Sequence, residues 1–280
     1  MNINKLSCVQ CHTIIKDEKG RGHIAPNPHS EILGLTENAY YTFTCPKGHV
    51  NHFIHDNLKF EILFELGVNA LNDDYYREAI TNFAASYERF HEYMIMLLLD
   101  CKNFDEFDRS LEALKLIEKQ SERQYGAFVT LYYKNLMVLP PLIQKYNSKD
   151  FKPAQDIIHF RNNVVHQGYI PTKEQAITFA KATSKYIEDV LSSIHENDDW
   201  IISKTNAFYL AKKKSICPVQ DIKIHAFSIF SFVKSNSMLL HPELSRKKSF
   251  EEHLQMMKKF KNSIYEELIN IQTLIPIIDK

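Results

Sequence analysis

Residues 160–169 read Phe-Arg-Asn-Asn-Val-Val-His-Gln-Gly-Tyr, and the rest of the chain is organised around this stretch. Arg161 is followed by four residues and then by His166. A guanidinium binds phosphate through two N–H donors and keeps its charge. An imidazole titrates near neutrality and can move a proton. The pair therefore suits phosphate-ester chemistry, although chance alone supplies about 0.3 such pairs in a chain of this composition.

The composition predicts a mainly helical fold. A chain of 280 residues can form one large domain or two to three small ones, and 44% apolar residues is ordinary for a globular protein. Glycine occurs only 7 times, and apolar residues recur mostly at helical spacing. No N-terminal stretch has the features of a signal peptide, and the densest apolar run, 94–99, is too short to span a bilayer. We therefore expect a cytoplasmic protein without a membrane partner.

The formal charge is zero overall but unevenly distributed. Residues 58–199 carry 22 acidic and 16 basic side chains, whereas residues 200–280 carry 13 basic and 7 acidic ones. A protein that binds nucleic acid through bulk electrostatics would be more basic overall. The basic C-terminal region, 199–280, either contacts RNA or docks on the acidic middle of the chain.

The N-terminal segment, 1–57, contains two short motifs that bring together metal-binding residue types. In a chain without a secretion signal, a C-x-x-C pair favours metal binding or free thiols over disulfides. The aromatic and β-branched run before the second motif predicts a strand, and its proline and glycine suit a tight turn. The four candidate ligands are Cys8, Cys11, Cys45 and His49.

This Cys₃His set is typical of a structural zinc site, in which no position stays open for water. We therefore predict a small β zinc ribbon over residues 1–57, which depends on the metal for folding. Two alternatives stay open. The thiols and the histidine bind no metal, or His52 replaces His49 as the fourth ligand.

Residues 58–198 show helical periodicity interrupted by polar or proline-containing breaks. Helices joined by short loops predict an antiparallel bundle. Capping boxes are predicted at Ser121 with Gln124 and at Thr172 with Gln175. The predicted helices cover approximately residues 58–70, 75–101, 105–120, 121–140, 153–168 and 173–194.

The second predicted helix carries three charged residues, Glu88, Arg89 and Glu92, close together. They either pair with one another on a solvated face, or one of them faces Arg161 and His166 and orients that site. A simpler interpretation of Arg161 is that it pairs with an acidic residue of the bundle such as Asp156. In that case His166 merely caps a helix.

Helix geometry restricts how the arginine and histidine can meet. Five residues along an α-helix correspond to a rotation that leaves Arg161 and His166 about 140° apart. Asn162 and His166, four residues apart, share one face. The helix therefore distorts before Gly168, the arginine reaches round on its long side chain, or a symmetric dimer brings in the partner's residues.

The helical region is similar to the HEPN family. The resemblance covers about residues 58–195 and rests on Arg161, on the polar Asn162 after it, and on His166 near the end of the penultimate helix. Active members of that family are implied to be metal-independent endoribonucleases of toxin, defence and RNA-processing systems. They commonly form homodimers in which two motifs face each other across a cleft. Some toxin members carry a modified tyrosine two residues after the histidine, and the corresponding candidate, Tyr169, lies three residues after it.

The resemblance implies RNA cleavage through attack by the substrate's own 2′-hydroxyl, with no cofactor for catalysis. His166 would be the general base or acid, and Arg161 would stabilise charge on the phosphate. Asn162 would orient the histidine or hold a phosphate oxygen. RNA, a second copy of the chain and a regulatory or antitoxin protein are the implied partners. The alternative function is a non-catalytic adaptor that binds RNA or protein on the same bundle.

Residues 199–280 are expected to form a mostly helical, basic extension. A helix is predicted from about 200 to 210, and a final helix, begun by a Ser249–Glu252 capping box, to about 271. The apolar run 222–233 fits either helix or strand.

Overall fold

The computed structural model describes most residues between 39 and 219 and shorter pieces on either side. The described residues are 2–3, 6, 8–11, 14–16, 22–24, 33–37, 39–143, 156–195, 199–219, 222–225, 232, 250–252 and 254–255.

Helices dominate the described residues, which confirms the prediction of a mainly helical fold with a small N-terminal β region. The helices are α1 Lys59–Asn72, α2 Tyr76–Leu98, α3 Phe104–Lys115, α4 Ser121–Leu136, α5 Ile157–His166, α6 Lys173–His195 and α7 Asp199–Ser215. The strands are β1 Asn2–Ile3, β2 Ile14–Lys16, β3 Gly22–Ile24, β4 Leu33–Gly34, β5 Tyr40–Thr44, β6 Val50–His55 and β7 Lys223–His225.

Helix α2 lies at the centre of the helical part and contacts α1 and all of α3 to α7. Its predicted apolar stripe, which includes Phe83, Tyr87 and Phe90, is buried. Towards its C-terminus, Met94 to Leu98 are apolar on every side of the helix and are all buried. A helix that is apolar all round must be covered all round. The other helices provide that cover.

Helices that contact α2 run in both directions relative to it. Helix α1 forms an antiparallel hairpin with α2 through a three-residue connection, and the Ser86 hydroxyl donates to the Phe60 carbonyl oxygen at 2.7 Å within their interface. Helix α6 instead runs parallel to α2. Lys173, at the start of α6, contacts Asp74, just before the start of α2. Short loops impose antiparallel packing only on consecutive helices, and α2 and α6 are not consecutive.

Helix α5, which carries the Arg161–His166 pair, has well-defined ends. The Asp156 carboxylate accepts hydrogen bonds from the backbone N–H groups of residues 158 and 159 and caps the N-terminus. The helix continues to His166, and Gly168 then takes a left-handed conformation with φ of 73°. Glycine adopts that conformation without a Cβ clash, which explains why the helix ends there.

One of the two predicted capping boxes of the bundle is present. The Gln175 backbone N–H donates to Thr172 Oγ1 at 3.3 Å, and the Thr172 backbone N–H donates to Gln175 Oε1 at 2.9 Å. The box predicted at Ser121 is wrong. Gln124 is buried there, and its amide donates to the Glu92 carboxylate of α2 at 2.6 Å. Gln124 therefore forms its hydrogen bond with Glu92 of another helix instead of capping the N-terminus of α4.

The chain divides into two compact units. One comprises Met1–Asp56, Ile216–Phe227 and Gln255–Lys280, and the other comprises Asn57–Ser215 and Ser228–Leu254. In the first unit, β5 and β6 form an antiparallel hairpin, and β7 pairs with β6 in parallel. Strand β1 pairs with β4, and β2 pairs with β3, both antiparallel. The strand expected before Cys45 is β5.

Helix α7 packs on α2 and α3, and its lysines meet acidic residues of the middle of the chain. Lys204 pairs with Asp100, and Lys212 pairs with Asp108. Of the two interpretations of the basic region, docking on the acidic middle is therefore observed for these two lysines.

The structure describes only part of the last two predicted elements of the C-terminal region. Residues 223–225 of the apolar run form strand β7, and residues 250–252 and 254–255 are helical. Most of the predicted final helix and the basic residues 246–248 that precede it lie outside the described residues. Among the helices that are described, none is both long enough and apolar enough to cross a bilayer.

The contact between α1 and α2 requires a glycine. A Cβ added at Gly67 would lie 2.6 Å from two ring carbons of Phe83, whose side chain is fully buried. We expect Gly67→Ala to lower the free energy of unfolding by about 1–2 kcal/mol, because overpacking outweighs the gain in helix propensity. Urea denaturation measures the change.

Gly126→Ala in α4 is the matched control. A Cβ at Gly126 meets nothing within 4 Å. We expect this substitution to raise the free energy of unfolding by about 0.5–1 kcal/mol, because alanine is the better helix former. Similar effects of the two substitutions would contradict the close packing at Gly67.

Candidate metal centre and candidate active site

The four predicted metal ligands come together in the N-terminal unit. Cys8 precedes a short 3-10 turn that ends at Cys11, whereas Cys45 and His49 flank the turn between β5 and β6. All four ligand atoms lie within 4.8 Å of one another, so the cluster could bind a metal ion. The three cysteines are buried and His49 is half-buried.

Backbone hydrogen bonds shape the turn that presents Cys45 and His49. The Gly48 N–H donates to the Cys45 carbonyl oxygen at 2.8 Å, and the Cys45 N–H donates to the His49 carbonyl oxygen at 3.0 Å. Gly48 has φ of 83°, a backbone conformation that residues other than glycine rarely adopt. The predicted role of glycine in this turn therefore has a direct backbone reason.

The ligand distances fit a tetrahedral zinc ion. Zinc–sulfur bonds of about 2.3 Å and zinc–nitrogen bonds of about 2.0–2.1 Å imply tetrahedral edges of roughly 3.5–3.8 Å. The Cys11 and Cys45 sulfurs are 3.8 Å apart. The distances from His49 Nδ1 to the sulfurs of Cys8, Cys11 and Cys45 are 3.8, 3.3 and 3.6 Å.

The ionisation of the thiols also favours a bound cation. Burial raises the pKa of Cys8, but hydrogen bonds from Asn51, His49 and Cys11 outweigh burial and bring this pKa to about 6. Burial and the neighbouring sulfurs raise the pKa of Cys11 to about 11. Cys8 therefore forms a thiolate readily, whereas burial and the neighbouring sulfurs oppose the ionisation of Cys11. A cation bound among the sulfurs would remove that opposition.

Residues around the cluster hold it in place and distinguish between the two histidine candidates. The Asn51 amide donates to Cys8 Sγ at 3.3 Å and to the His49 carbonyl oxygen at 3.0 Å. His52 instead stacks on Tyr40, whose hydroxyl lies 2.8 Å from His52 Nδ1. His49, not His52, therefore completes the cluster. An apolar core surrounds the cysteines, formed by Leu6, Tyr41, Phe43 and Phe53.

In the helical unit, Arg161 lies at the edge of the buried face of α5. That face is formed by Ile157, Phe160 and Val164. Nη2 of Arg161 is 3.2 Å from Oε1 of Glu88 on α2, and the two side chains are 15% and 25% exposed. The guanidinium is thus held against α2 by a partly sheltered ion pair. Asp156, the acid named in the simpler interpretation, caps α5 instead.

Asn162 and His166 lie on the outward face of the same helix. They are about 200° and 240° around the helix axis from Phe160, at 100° per residue. Asn162 is half-buried and His166 is exposed, as is His159. Because α5 stays helical through His166, the alternative of a distorted helix is excluded. Within one chain, the arginine is directed towards α2 and the histidine towards solvent.

The other supporting candidates have different surroundings. Arg89 pairs with Glu92 one turn along α2 and donates to the Glu118 carbonyl oxygen at 3.5 Å. Arg89 and Glu92 therefore pair with each other, as in the first of the two alternatives for the charged residues of this helix. Tyr169 packs edge-on against Phe160, and its hydroxyl lies 3.3 Å from the Gln175 amide nitrogen. Glu88 is therefore the charged residue of α2 that meets Arg161.

A buried polar–aromatic group next to Arg161 was missed by the sequence analysis. His91 Nε2 lies 2.8 Å from the Tyr186 hydroxyl, and the Tyr87 ring centroid is 4.4 Å from that of His91. Burial lowers the pKa of His91 to about 3, so this imidazole is neutral. Burial raises the pKa of Tyr87, and the charge of Arg161 opposes that rise. The four-residue spacing of Tyr87 and His91 was the available signal, because it places both on one face of α2.

The chain matches no protein-family model, no curated protein and no solved structure.

We expect the purified protein to contain one metal ion per chain. Cys45→Ser removes one thiolate, so it should lose the metal and unfold the N-terminal unit. Elemental analysis measures the metal, and cobalt reconstitution reports tetrahedral thiolate ligation. Protons compete for thiolate and imidazole ligands, so metal affinity should fall as the pH is lowered.

Cys101→Ser is the matched control for this experiment. Cys101 is buried in the helical unit, where its thiol donates to Ser110 at 3.6 Å. The Cys101→Ser protein should retain one metal ion per chain. Stoichiometric metal in the Cys45→Ser protein would rule out the cluster as the binding site.

Proposed function

We propose that the protein is a metal-independent endoribonuclease built on a HEPN-type helical bundle and acting in the cytoplasm. The observation that carries the proposal is that Asn162 and an exposed His166 lie on the outward face of the helix that also carries Arg161. A guanidinium and an accessible imidazole that meet across two copies of the chain suit the cleavage of a phosphodiester.

Each residue has a role that its surroundings support. A guanidinium has five N–H donors, so contact of one Nη with Glu88 leaves others to bind a phosphate and stabilise its developing charge. The exposure of His166 leaves its imidazole accessible to an RNA backbone as general base or acid. Asn162, on the same face as His166, orients the imidazole or holds a phosphate oxygen. The substrate's 2′-hydroxyl attacks the adjacent phosphorus and the bond to the 5′-oxygen of the next nucleotide breaks. The products therefore carry a 2′,3′-cyclic phosphate and a 5′-hydroxyl, the second of which takes up a proton.

The divergence of Arg161 and His166 supports a site shared between two chains. A two-fold axis beside α5 would bring the His166 of one copy towards the arginine of the other. We therefore propose a homodimer with two composite sites that face each other.

The metal in this proposal is zinc and its role is structural. Three cysteines and a histidine complete a tetrahedral shell and leave no position for a reactive water. The zinc site stabilises the N-terminal unit, and the reaction proceeds without any metal. A role in a toxin or anti-phage system, with a regulatory or antitoxin protein as partner, follows from the family resemblance alone.

A second candidate function is a non-catalytic adaptor that binds RNA or protein. One specific observation favours it: the Arg161 guanidinium already has an acidic partner within its own chain. In the adaptor, Arg161 and Glu88 would join α5 to α2 and have no part in catalysis.

The catalytic test is RNA cleavage by purified protein in EDTA. The wild type should cut a mixed RNA pool and leave 2′,3′-cyclic phosphate ends, whereas Arg161→Ala and His166→Ala should each lose about 10²-fold or more in rate. A substrate with a single 2′-deoxy position at the cut site should resist cleavage there.

His159→Ala is the matched control, because His159 is an exposed histidine on the same helix face, two turns earlier. It should keep wild-type activity. Full activity in the His166→Ala protein would end the ribonuclease proposal, and RNA binding without cleavage by the wild type would favour the adaptor.

Mixing two inactive variants tests the shared site. If Arg161 and His166 act across the dimer, exchanged Arg161→Ala and His166→Ala chains form heterodimers with one intact site, and about a quarter of wild-type activity returns. If each chain supplies its own pair, every site in the mixture lacks one residue and no activity returns.

A further inference from the structure

An exposed tyrosine follows the candidate catalytic histidine by three residues. Tyr169 is 40% exposed, whereas Tyr132 and Tyr186 of the same helical unit are buried. The ring of Tyr169 meets that of Phe160 at 74°, with the ring centroids 6.0 Å apart. Such an edge-to-face contact covers at most one face of a ring, so a face of Tyr169 stays open to solvent.

The ring of Tyr169 is also held in a fixed position. Gly168 turns the chain back with φ of 73°, and the Tyr169 N–H then donates to the Asn163 carbonyl oxygen at 3.1 Å. The Tyr169 hydroxyl lies 3.3 Å from the Gln175 amide nitrogen. Gln175 is itself held by the capping box of α6. A ligand that packs on such a ring loses little binding free energy to the ordering of the side chain.

The open ring lies close to the histidine of the candidate active site. Three residues of fully extended chain span at most about 11 Å, and the hydrogen-bonded turn after α5 is shorter than that. Both His166 and Tyr169 are exposed. A nucleotide whose phosphate contacts His166 can therefore extend a base to Tyr169.

The charges around the ring favour an uncharged ligand over a phosphate. Residues 167–172, which join α5 to α6, carry no charged side chain. At the start of α6, Lys173 pairs with Asp74, and the Glu174 carboxylate is exposed. His166, the group assigned to the phosphate chemistry, lies on α5 instead. An RNA strand bound here would therefore place its backbone over α5 and a base over the loop.

We propose that Tyr169 stacks an unpaired base adjacent to the scissile phosphate, and that the substrate is therefore single-stranded RNA. Aromatic side chains stack bases that are splayed out of a single strand, whereas the bases of a duplex are already stacked on one another. Because every base has a π face, stacking alone predicts tolerance of sequence. The inference rests on the proposed ribonuclease function and adds its substrate class.

Substitutions at Tyr169 test the role of its ring. Tyr169→Leu keeps an apolar side chain but removes the π face, so kcat/KM for a single-stranded RNA should fall about tenfold, chiefly through a higher KM. Tyr169→Phe keeps the ring and should stay within about twofold of the wild type. Tyr133→Leu is the matched control, because Tyr133 is 49% exposed on α4, near the C-terminal end of α2 and away from α5. The Tyr133→Leu protein should cleave RNA as the wild type does.

Changes in the RNA locate the stacked base. The probe is a single-stranded RNA with 2-aminopurine at one position at a time, bound to the His166→Ala protein so that it is not cut. One position, adjacent to the cleavage site of the wild type, should show fluorescence quenching that is lost when Tyr169→Leu is added to the same chain. Removal of the base at that position should weaken binding about tenfold. The same sequence in a duplex should be cleaved at least about tenfold more slowly.

The outcomes separate this inference from the proposed function. A wild-type protein that neither cuts nor binds RNA contradicts both, and one that binds RNA without cutting it contradicts the ribonuclease while the 2-aminopurine scan still decides on stacking. Equal cleavage by the wild type and Tyr169→Leu, or equal cleavage of duplex and single strand, overturns the stacking inference alone.

Two further results would overturn it by giving the tyrosine another role. A Tyr169→Phe protein as defective as Tyr169→Leu would assign the role to the hydroxyl. A loss of homodimer in the Tyr169→Leu protein, measured by sedimentation, would assign the ring to the contact between two copies.

Discussion

The structure of the helical unit depends on the burial of the C-terminal part of α2 on all its sides. The apolar run near its C-terminus leaves no face for water, so neighbouring helices have to surround it. The helix packed closest, α1, is accommodated by a glycine against the Phe83 ring. The same helix carries Glu88, which holds Arg161, and His91, which lies in the buried polar–aromatic group. The central helix therefore sets both the fold and the surroundings of the candidate active site.

The N-terminal unit depends on a different interaction. Its two pairs of candidate ligands are separated by 34 positions of chain, from Cys11 to Cys45, and they meet because two turns face each other over a small apolar core. Neighbouring sulfurs at these distances oppose the ionisation of Cys11, and a bound metal ion would remove that opposition. A small unit with few large aliphatic residues would gain from such a metal the stability that its core does not provide.

Local helix geometry and tertiary packing determine different features of the candidate active site. Helical periodicity alone separates Arg161 from His166 and joins Asn162 to His166. The acidic partner of the arginine could not be chosen from the sequence, because Glu88, Glu92 and Asp156 were all available. The structure uses each of them differently: the first holds Arg161, the second binds Arg89 and Gln124, and the third caps α5. The ribonuclease and adaptor interpretations differ in whether the Arg161–Glu88 pair serves catalysis or only packing.

The sequence by itself determined the features that depend on neighbouring residues. These include the helical class, the C-terminal end of α5, both ends of α6, the strand before Cys45 and the set of four candidate ligands. Periodicity, capping side chains and left-handed glycines act over a few residues, so they can be recognised in a linear pattern. Only the tertiary structure decided the parallel direction of α6 and α2, the loss of the capping box at Ser121 and the choice of His49 over His52. Each of these depends on which distant residue comes within contact distance, and spacing along the chain does not contain that information.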